Sequence, residues 1–285
     1  MAVTIRRGHL DDAPECGRIC HAAFASIANA HNFPPDFPSA EVATGALRGM
    51  LGNSGFFGVV AEDAGKIVGS NFLDERNSIS GVGPITVDPN VQNKGIGAAL
   101  MHAVMARSKE KGFAGIRLVQ AGYHTRSLSL YAKLGFDVRE HLSCLQGPVI
   151  DRQVEGYAVR TATTEDIAAC NALCQSVHGA TRDGEVRDAV ARNAVSVVER
   201  GGRITGYTTG IAFFGHSVGE TTDDLKALIA AAKMFAGPGF LVPSRNGALL
   251  RWCLAQGLRV TQPLTLMTIG LYNEPCGAYL PSILY

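Results

Sequence analysis

Ile85-Thr86-Val87-Asp88-Pro89-Asn90-Val91-Gln92-Asn93-Lys94-Gly95-Ile96-Gly97-Ala98-Ala99-Leu100 carries the main structural signal of the chain. It reads as a strand stopped at Pro89, a tight turn with two glycines, and the start of a helix. Such a turn and helix N-terminus present N–H groups with no partner inside the helix. The helix dipole adds partial positive charge there. The place suits a phosphate or pyrophosphate. Gly95 and Gly97 leave room for close backbone approach, and Gln92, Asn93 and Lys94 add side-chain donors. The run is neither the G-x-x-x-x-G-K-[ST] phosphate loop nor the dinucleotide G-x-G-x-x-G.

Working outward, the helix is predicted over about residues 94–111. Ile96, Leu100, Ala103 and Val104 fall at helical spacing, and Gly112 stands as the stop. Ahead of it lie a strand at about 81–88 and two strands, about 56–62 and 66–74, flanking the turn at Gly65. Before these come a helix over 39–51 and a loop, 31–38, whose three prolines exclude a regular element. A first helix with Asp11 or Asp12 as N-cap follows a strand at about 3–6. Downstream come a strand at about 115–120, a helix at about 125–134 and a final strand. The pattern predicts an α/β fold, a twisted mixed sheet flanked by helices.

The same landmarks recur in the same order. Ile5-Arg6, Asp12, Cys16 and Cys20 are matched by Val159-Arg160, Asp166, Cys170 and Cys174. Gly65-Lys66-Ile67-Val68-Gly69 is matched by Gly202-Arg203-Ile204-Thr205-Gly206, each reading as a hairpin turn entering a strand. Leu118-Val119 followed by Leu130 to Phe136 is matched by Leu241-Val242 followed by Trp252 to Leu258. Two copies of one fold are expected, joined near residues 146–151, with domains at 1–147 and 148–285.

Composition narrows the function. A net charge of +1 with no basic stripe argues against nucleic acid as partner. No apolar run approaches the ~18 residues of a membrane span. Residues 1–7 lack the apolar core of a secretory leader. The seven cysteines include no C-x-x-C pair, so neither a disulfide framework nor a zinc site is expected, and no metal. A reducing, cytoplasmic setting is expected.

Val87-x-Pro89-x-x-Gln92-x-x-Gly95-x-Gly97-Ala98 resembles the acetyl-CoA signature of the GNAT superfamily of N-acetyltransferases. Leu130-Tyr131-x-Lys133-x-Gly135-Phe136 resembles that superfamily's later motif, in the right order and at the family's interval. The resemblance covers about residues 3–145. Residues 157–285 resemble a second, degenerate copy, with Gly219-Glu220-Thr221-Thr222-Asp223-Asp224 where the pyrophosphate loop should be. Its three acids would repel a phosphate. The whole is similar to tandem-GNAT acetyltransferases with one catalytic and one atypical domain.

The resemblance implies acetyl-CoA as co-substrate and assigns roles. Backbone groups of Ile85, Thr86 and Val87 would pair with the pantetheine arm, and the Val87 N–H would polarise the thioester carbonyl. Gln92, Asn93, Lys94, Gly95, Ile96, Gly97 and Ala98 would hold the pyrophosphate. Tyr131 would protonate the departing thiolate; the alternative is a half-buried core tyrosine. Relatives usually carry Asn seven residues before this tyrosine, where this chain has His124; Ser127 keeps the small residue three positions later. Both go with the cofactor, although His124 could instead face the acceptor.

The acceptor is expected to be a small-molecule amine. An alkyl amine is mostly protonated at pH 7, so a base is needed. Asp74 and Glu75, at the end of the strand before the motif strand, are the candidates, against a solvated turn. In the loop after the first helix, Phe33 and Phe37 could wall the acceptor pocket, and His31 or Asp36 could bind polar groups. From the second copy, His178, Arg182 and Asp183 could complete it. Two other readings stay open: a protein N-acetyltransferase, and a non-catalytic acyl-CoA sensor. The presence of Tyr131 favours an enzyme.

Overall fold

The computed structural model describes residues 3–285. The first copy runs β1 (Thr4–Arg7), α1 (Ala13–Ala30), α2 (Ala40–Leu51), β2 (Phe56–Asp63), β3 (Lys66–Asp74), β4 (Ser80–Val82), β5 (Thr86–Val87), α3 (Ile96–Glu110), β6 (Gly115–Ala121), α4 (Thr125–Lys133) and β7 (Asp137–Gln146). The second runs β8 (Ala158–Thr161), α5 (Ile167–His178), α6 (Asp183–Ala191), β9 (Ser196–Arg200), β10 (Arg203–Thr208), β11 (Ser217–Gly219), α7 (Thr222–Ala231), β12 (Phe240–Pro243), α8 (Gly247–Ala255) and β13 (Arg259–Gly270), followed by β14 (Ala278–Leu280).

The repeat has a physical basis. Arg6 forks onto Asp12 at 2.8 and 3.0 Å, and Arg160 onto Asp166 at 2.7 and 2.9 Å. Each aspartate also accepts a backbone N–H, from His9 and Thr163 respectively. These carboxylates therefore pin strand to helix through a short 3₁₀ turn, and Asp12 does not cap α1 through its side chain as expected. The two hairpins turn alike: Ala64 and Gly65 in one, Gly201 and Gly202 in the other, all have positive φ, as a two-residue turn between twisted strands requires.

The copies are not separate bodies. Nine strands form one sheet, in the order β1-β2-β3-β4-β6-β13-β7-β12 with β5 on β3. Strand β13 of the second copy lies between β6 and β7 of the first. Strand β7 in turn lies between β13 and β12. The exchange is symmetric about Leu142↔Leu264, where equivalent residues face each other. It also corrects one landmark by a residue. Val119 pairs with Leu266 and Leu241 with Cys144, so Val119 matches Leu241 rather than Val242. Strands β14-β11-β10-β9-β8 form a second sheet.

The first sheet buries both faces. Alternation along β2 sends Val59 to the side of α3, with Leu100, Val104 and Leu118, and Val60 to the side of α1 and α2, with Cys20, Leu47 and Phe72. All seven cysteines are free, and the six that are buried pack as small apolar groups, while Cys276 is exposed. Among the described residues no helix is long and apolar enough to cross a membrane.

The expected strand at 81–88 is broken. Gly83 has φ +136° and Pro84 has no N–H to give a ladder, so β4 ends at Val82 and β5 restarts at Thr86. Strand β4 bridges β3 and β6; β5 pairs with β3 alone. A gap opens between β5 and β6.

Candidate active site

The gap is the middle of a cavity of about 410 Å³. One half lies on the α3 and α4 side of the sheet, the other on the α1 side. Asp88 N–H donates to Val68 O, and Val87 faces Gly69 across the ladder. In an antiparallel pair donors alternate in direction. The N–H groups of Ile85 and Val87 therefore point away from β3, into the gap. Ile85, Thr86 and Val87 all line the cavity.

At the α3 end, Gln92, Asn93, Gly95, Ile96, Gly97 and Ala98 form the wall, while Lys94 is exposed and off it. Helix α3 starts at Gly95, φ +82°, with no side chain capping its N-terminus. A Cβ on Gly97 would come no closer than 3.6 Å to a neighbour, so the open side of the turn is the cavity itself. Gln92 holds the turn by donating to Val87 O at 3.0 Å. Arg126, which the sequence reading did not single out, donates to Gln92 Oε1 at 2.5 Å and to Asn93 Oδ1 at 3.2 Å. It brings a guanidinium beside an already electropositive helix end. A basic residue one helical turn ahead of the second motif was its sequence signal.

Helix α4 supplies His124, Ser127 and Tyr131 to the same wall. The Ser127 N–H donates to His124 Nδ1 at 3.3 Å, so the imidazole caps α4 and carries its proton on Nε2. Burial, with Arg126 and His31 nearby, lowers its pKa to about 4, so it is a neutral donor at pH 7. An asparagine at this place would likewise accept with its oxygen and donate with its nitrogen. Tyr131 is buried, which raises its hydroxyl to about 12 against the opposing effect of Ser127. Across the gap on β6, Gln120 is 5% exposed, and neither its amide nitrogen nor its oxygen has a protein partner. A buried amide in that state is costly. Gln120→Leu should therefore leave thermal stability equal or higher; a lowered melting temperature by calorimetry would show that the amide has a partner in the free protein.

The α1 side is apolar. Phe24, Ile27 and Phe37 meet Phe213, Phe214 and Leu264 of the second copy, and Ile283 and Leu284 also reach the wall. The C-terminal segment thus packs on the body and shapes the cavity as well. Asp36 is the one carboxylate among the described residues that line it. Gln262 Nε2 donates to Asp36 Oδ1 at 3.0 Å, and Tyr123 donates to Gln262 Oε1 at 3.3 Å. Burial raises the Asp36 pKa, the Gln262 bond opposing.

Several expected residues lie elsewhere. Asp74 pairs with Arg76 at 2.6 Å, and Glu75 with Arg107 at 2.7 Å; neither touches the cavity. Strand β3 runs on past Ser70, which faces Thr86, so Asp74 stands about 13 Å further along at ~3.3 Å per residue. His31 and Phe33 are taken up by Tyr123, with ring centroids 5.4 and 4.2 Å away. His178 packs edge-on against Tyr279, and Arg182 pairs with Glu185 at 2.5 Å, both buried away from the cavity. Asp183 pairs with Arg187 at 2.6 Å.

Residues 24–136 match the model of the Acetyltransferase (GNAT) family. Nearly the whole chain superposes on solved structures. A candidate acetyltransferase from Pyrococcus horikoshii is 17% identical, with a TM-score of 0.74 over 97% of this chain and 94% of that one. A GCN5-related N-acetyltransferase from Sphaerobacter thermophilus is 16% identical, with a TM-score of 0.63 over 95% and 96%. A tandem GNAT protein from the clavulanic acid biosynthesis pathway is 14% identical, with a TM-score of 0.57 over 94% and 98%. This chain has the GNAT fold, in tandem. No curated protein matches its sequence.

The second GNAT-like copy keeps the framework of the first but closes the corresponding strand edge and helix end. Gly206↔Gly219 and the Glu220 N–H to Thr205 O bond repeat Gly69↔Val87 and Asp88 N–H to Val68 O, so Ser217–Gly219 corresponds to Ile85–Val87. Its outward edge is covered: β14 pairs along it, from Ser217↔Leu280 to Gly219↔Ala278. Helix α7 is closed by a capping box between Thr221 and Asp224. Asn246, at the place of His124, caps α8 and donates to Thr222 Oγ1 at 3.2 Å. The three acids of this segment each have partners, Asp223 pairing with Lys226 at 2.7 Å. Asp224 is buried on Thr205 and Thr221, and Glu220 pairs with Arg203 and Arg200.

Proposed function

We propose that this chain is an acetyl-CoA-dependent N-acetyltransferase that acetylates a primary amine of a small molecule by direct transfer in the cavity of its first copy. The observation that carries the reading is one cavity holding an uncapped helix N-terminus, an unpaired strand edge and Tyr131. Acetyl-CoA would supply an activated acetyl thioester. The turn from Gln92 to Ala98, with Arg126, would hold its pyrophosphate. Ile85 and Val87 would give N–H groups to the pantetheine arm and thioester carbonyl, and Gln120 would satisfy its amide there. His124 would donate from Nε2.

Two groups would move protons. Asp36, on the acceptor side, would take one from the amine. Tyr131, which keeps its proton up to about pH 12, would give one to the leaving sulfur. The remaining contribution is to position the two substrates. The second copy would bind no CoA and would serve to wall the acceptor side. Buried free thiols support a reducing, cytosolic setting.

The test is CoA thiol release from the purified chain with acetyl-CoA and an amine panel, beside calorimetric titration of acetyl-CoA. Amine-dependent release is expected, with one acetyl-CoA bound per chain. Gly97→Glu, which puts a carboxylate where the phosphate would lie, should abolish both. A chain that binds no acetyl-CoA would overturn the reading.

Asp36→Asn should lower kcat about 100-fold with acetyl-CoA affinity retained. In the parent protein the acid limb of kcat should lie above the ~3.9 of an ordinary aspartate, because burial raises this group and only its ionised form accepts a proton. That limb should vanish in the variant. A pH profile of kcat identical in both proteins would remove Asp36 from the proton path.

A further inference from the structure

The α1 side of the cavity selects its occupant by what it contains. Four phenyl rings follow one another along it. Phe24 and Phe37 have centroids 5.9 Å apart, Phe37 and Phe214 6.3 Å, and Phe213 and Phe214 5.9 Å. Two come from the α1–α2 region and two from the second copy. Such rings receive flat apolar bodies well. Against this wall stands Asp36, the one carboxylate among the described residues that line the cavity, held by Gln262 from β13. The cationic side chain on the cavity wall, Arg126, lies at the phosphate turn and is engaged by Gln92 and Asn93.

We infer that the acceptor is a monoamine on an apolar, aromatic-sized body without an anionic group, its nitrogen at Asp36 and its body among Phe24, Phe37, Phe213 and Phe214. The inference rests on the proposed transferase reading and adds its substrate class. An amino acid would bring a carboxylate beside Asp36, where none of the described residues lining the apolar wall is a Lys or Arg. An amino sugar would strand hydroxyls against phenyl rings, each costing about 10-fold in binding. A polyamine would carry a second ammonium with no second carboxylate to meet it.

The experiment compares kcat/KM of the full-length protein for phenethylamine, glucosamine, spermidine and alanine, with acetyl-CoA binding measured separately by calorimetry. Phenethylamine should exceed each of the others by about 100-fold. Phe214→Ala, at a ring 38% exposed and so removable without unfolding the core, should lower the phenethylamine value about 10-fold and leave acetyl-CoA binding as it was. If acetyl-CoA binds but a polar amine is preferred, or phenethylamine is not acetylated, the substrate class is wrong and the cofactor site stands. If acetyl-CoA does not bind, both fail.

Discussion

Tyr131→Phe is expected to lower kcat by about 100- to 10,000-fold, the range for removing a positioned general acid, while acetyl-CoA affinity stays within about 3-fold. The hydroxyl sits at the buried end of α4, on the same wall as the Val87 edge. Its pKa of about 12 fixes the sign: at any ordinary assay pH the group is protonated and able to donate. No alkaline limb from this group should appear below about pH 10. Substitution by Phe keeps the ring, its edge-on contact with Phe136 at 6.2 Å and its packing in the core. Lost activity would thus reflect lost chemistry. Full activity in the variant, measured by thiol release under saturating substrates, would return Tyr131 to the role of a core residue.

The second large effect concerns folding. A chain ending at residue 147 should fail to form a stable monomer, because β13 would be missing from between β6 and β7. The ladder from Leu264↔Ala121 to Gly270↔Gly115 would be lost, which leaves β6 an open edge and β7, paired only with β13 and β12, without a neighbour in the sheet. Leu264, Leu266 and Met267, each at most 2% exposed, would leave the core. At ~1.5–3 kcal/mol for each buried side chain, their loss is comparable with the ~5–15 kcal/mol of a whole domain. Circular dichroism should show no cooperative thermal transition for a monomeric 1–147 fragment, and sizing should show self-association. A monomer that melts cooperatively and binds acetyl-CoA would contradict this.

The turn and helix end that line one side of the candidate site were legible in the sequence because they are local. Val87 to Ala98 is one continuous strand-turn-helix, and its chemistry follows from turn geometry and helix ends. The repeat was legible because Arg6–Asp12 and Arg160–Asp166 are short-range ion pairs that fix their own spacing. The strand exchange was not. The apolar alternation of β13 says which face is buried, but not which edges it joins. The base candidates failed for a related reason. Asp74 and Glu75 precede the motif strand closely in sequence, yet β3 carries them past the point where β5 leaves the sheet, to Arg76 and Arg107. The contribution of the second copy was expected from His178 and Arg182. Those residues are instead bound up inside it, and the wall is made by Phe213, Phe214 and Leu264, which no local pattern marks.

The exchanged strands have a consequence for how the cavity is assembled. If Leu264 and the two phenyl rings came from a separate polypeptide, the acceptor wall would be in equilibrium with its absence and would come apart on dilution. Here the donor of that wall is tethered to its recipient through the link between β7 and β8, at a fixed effective concentration. Delivery of that wall to the first copy is thereby removed from the law of mass action.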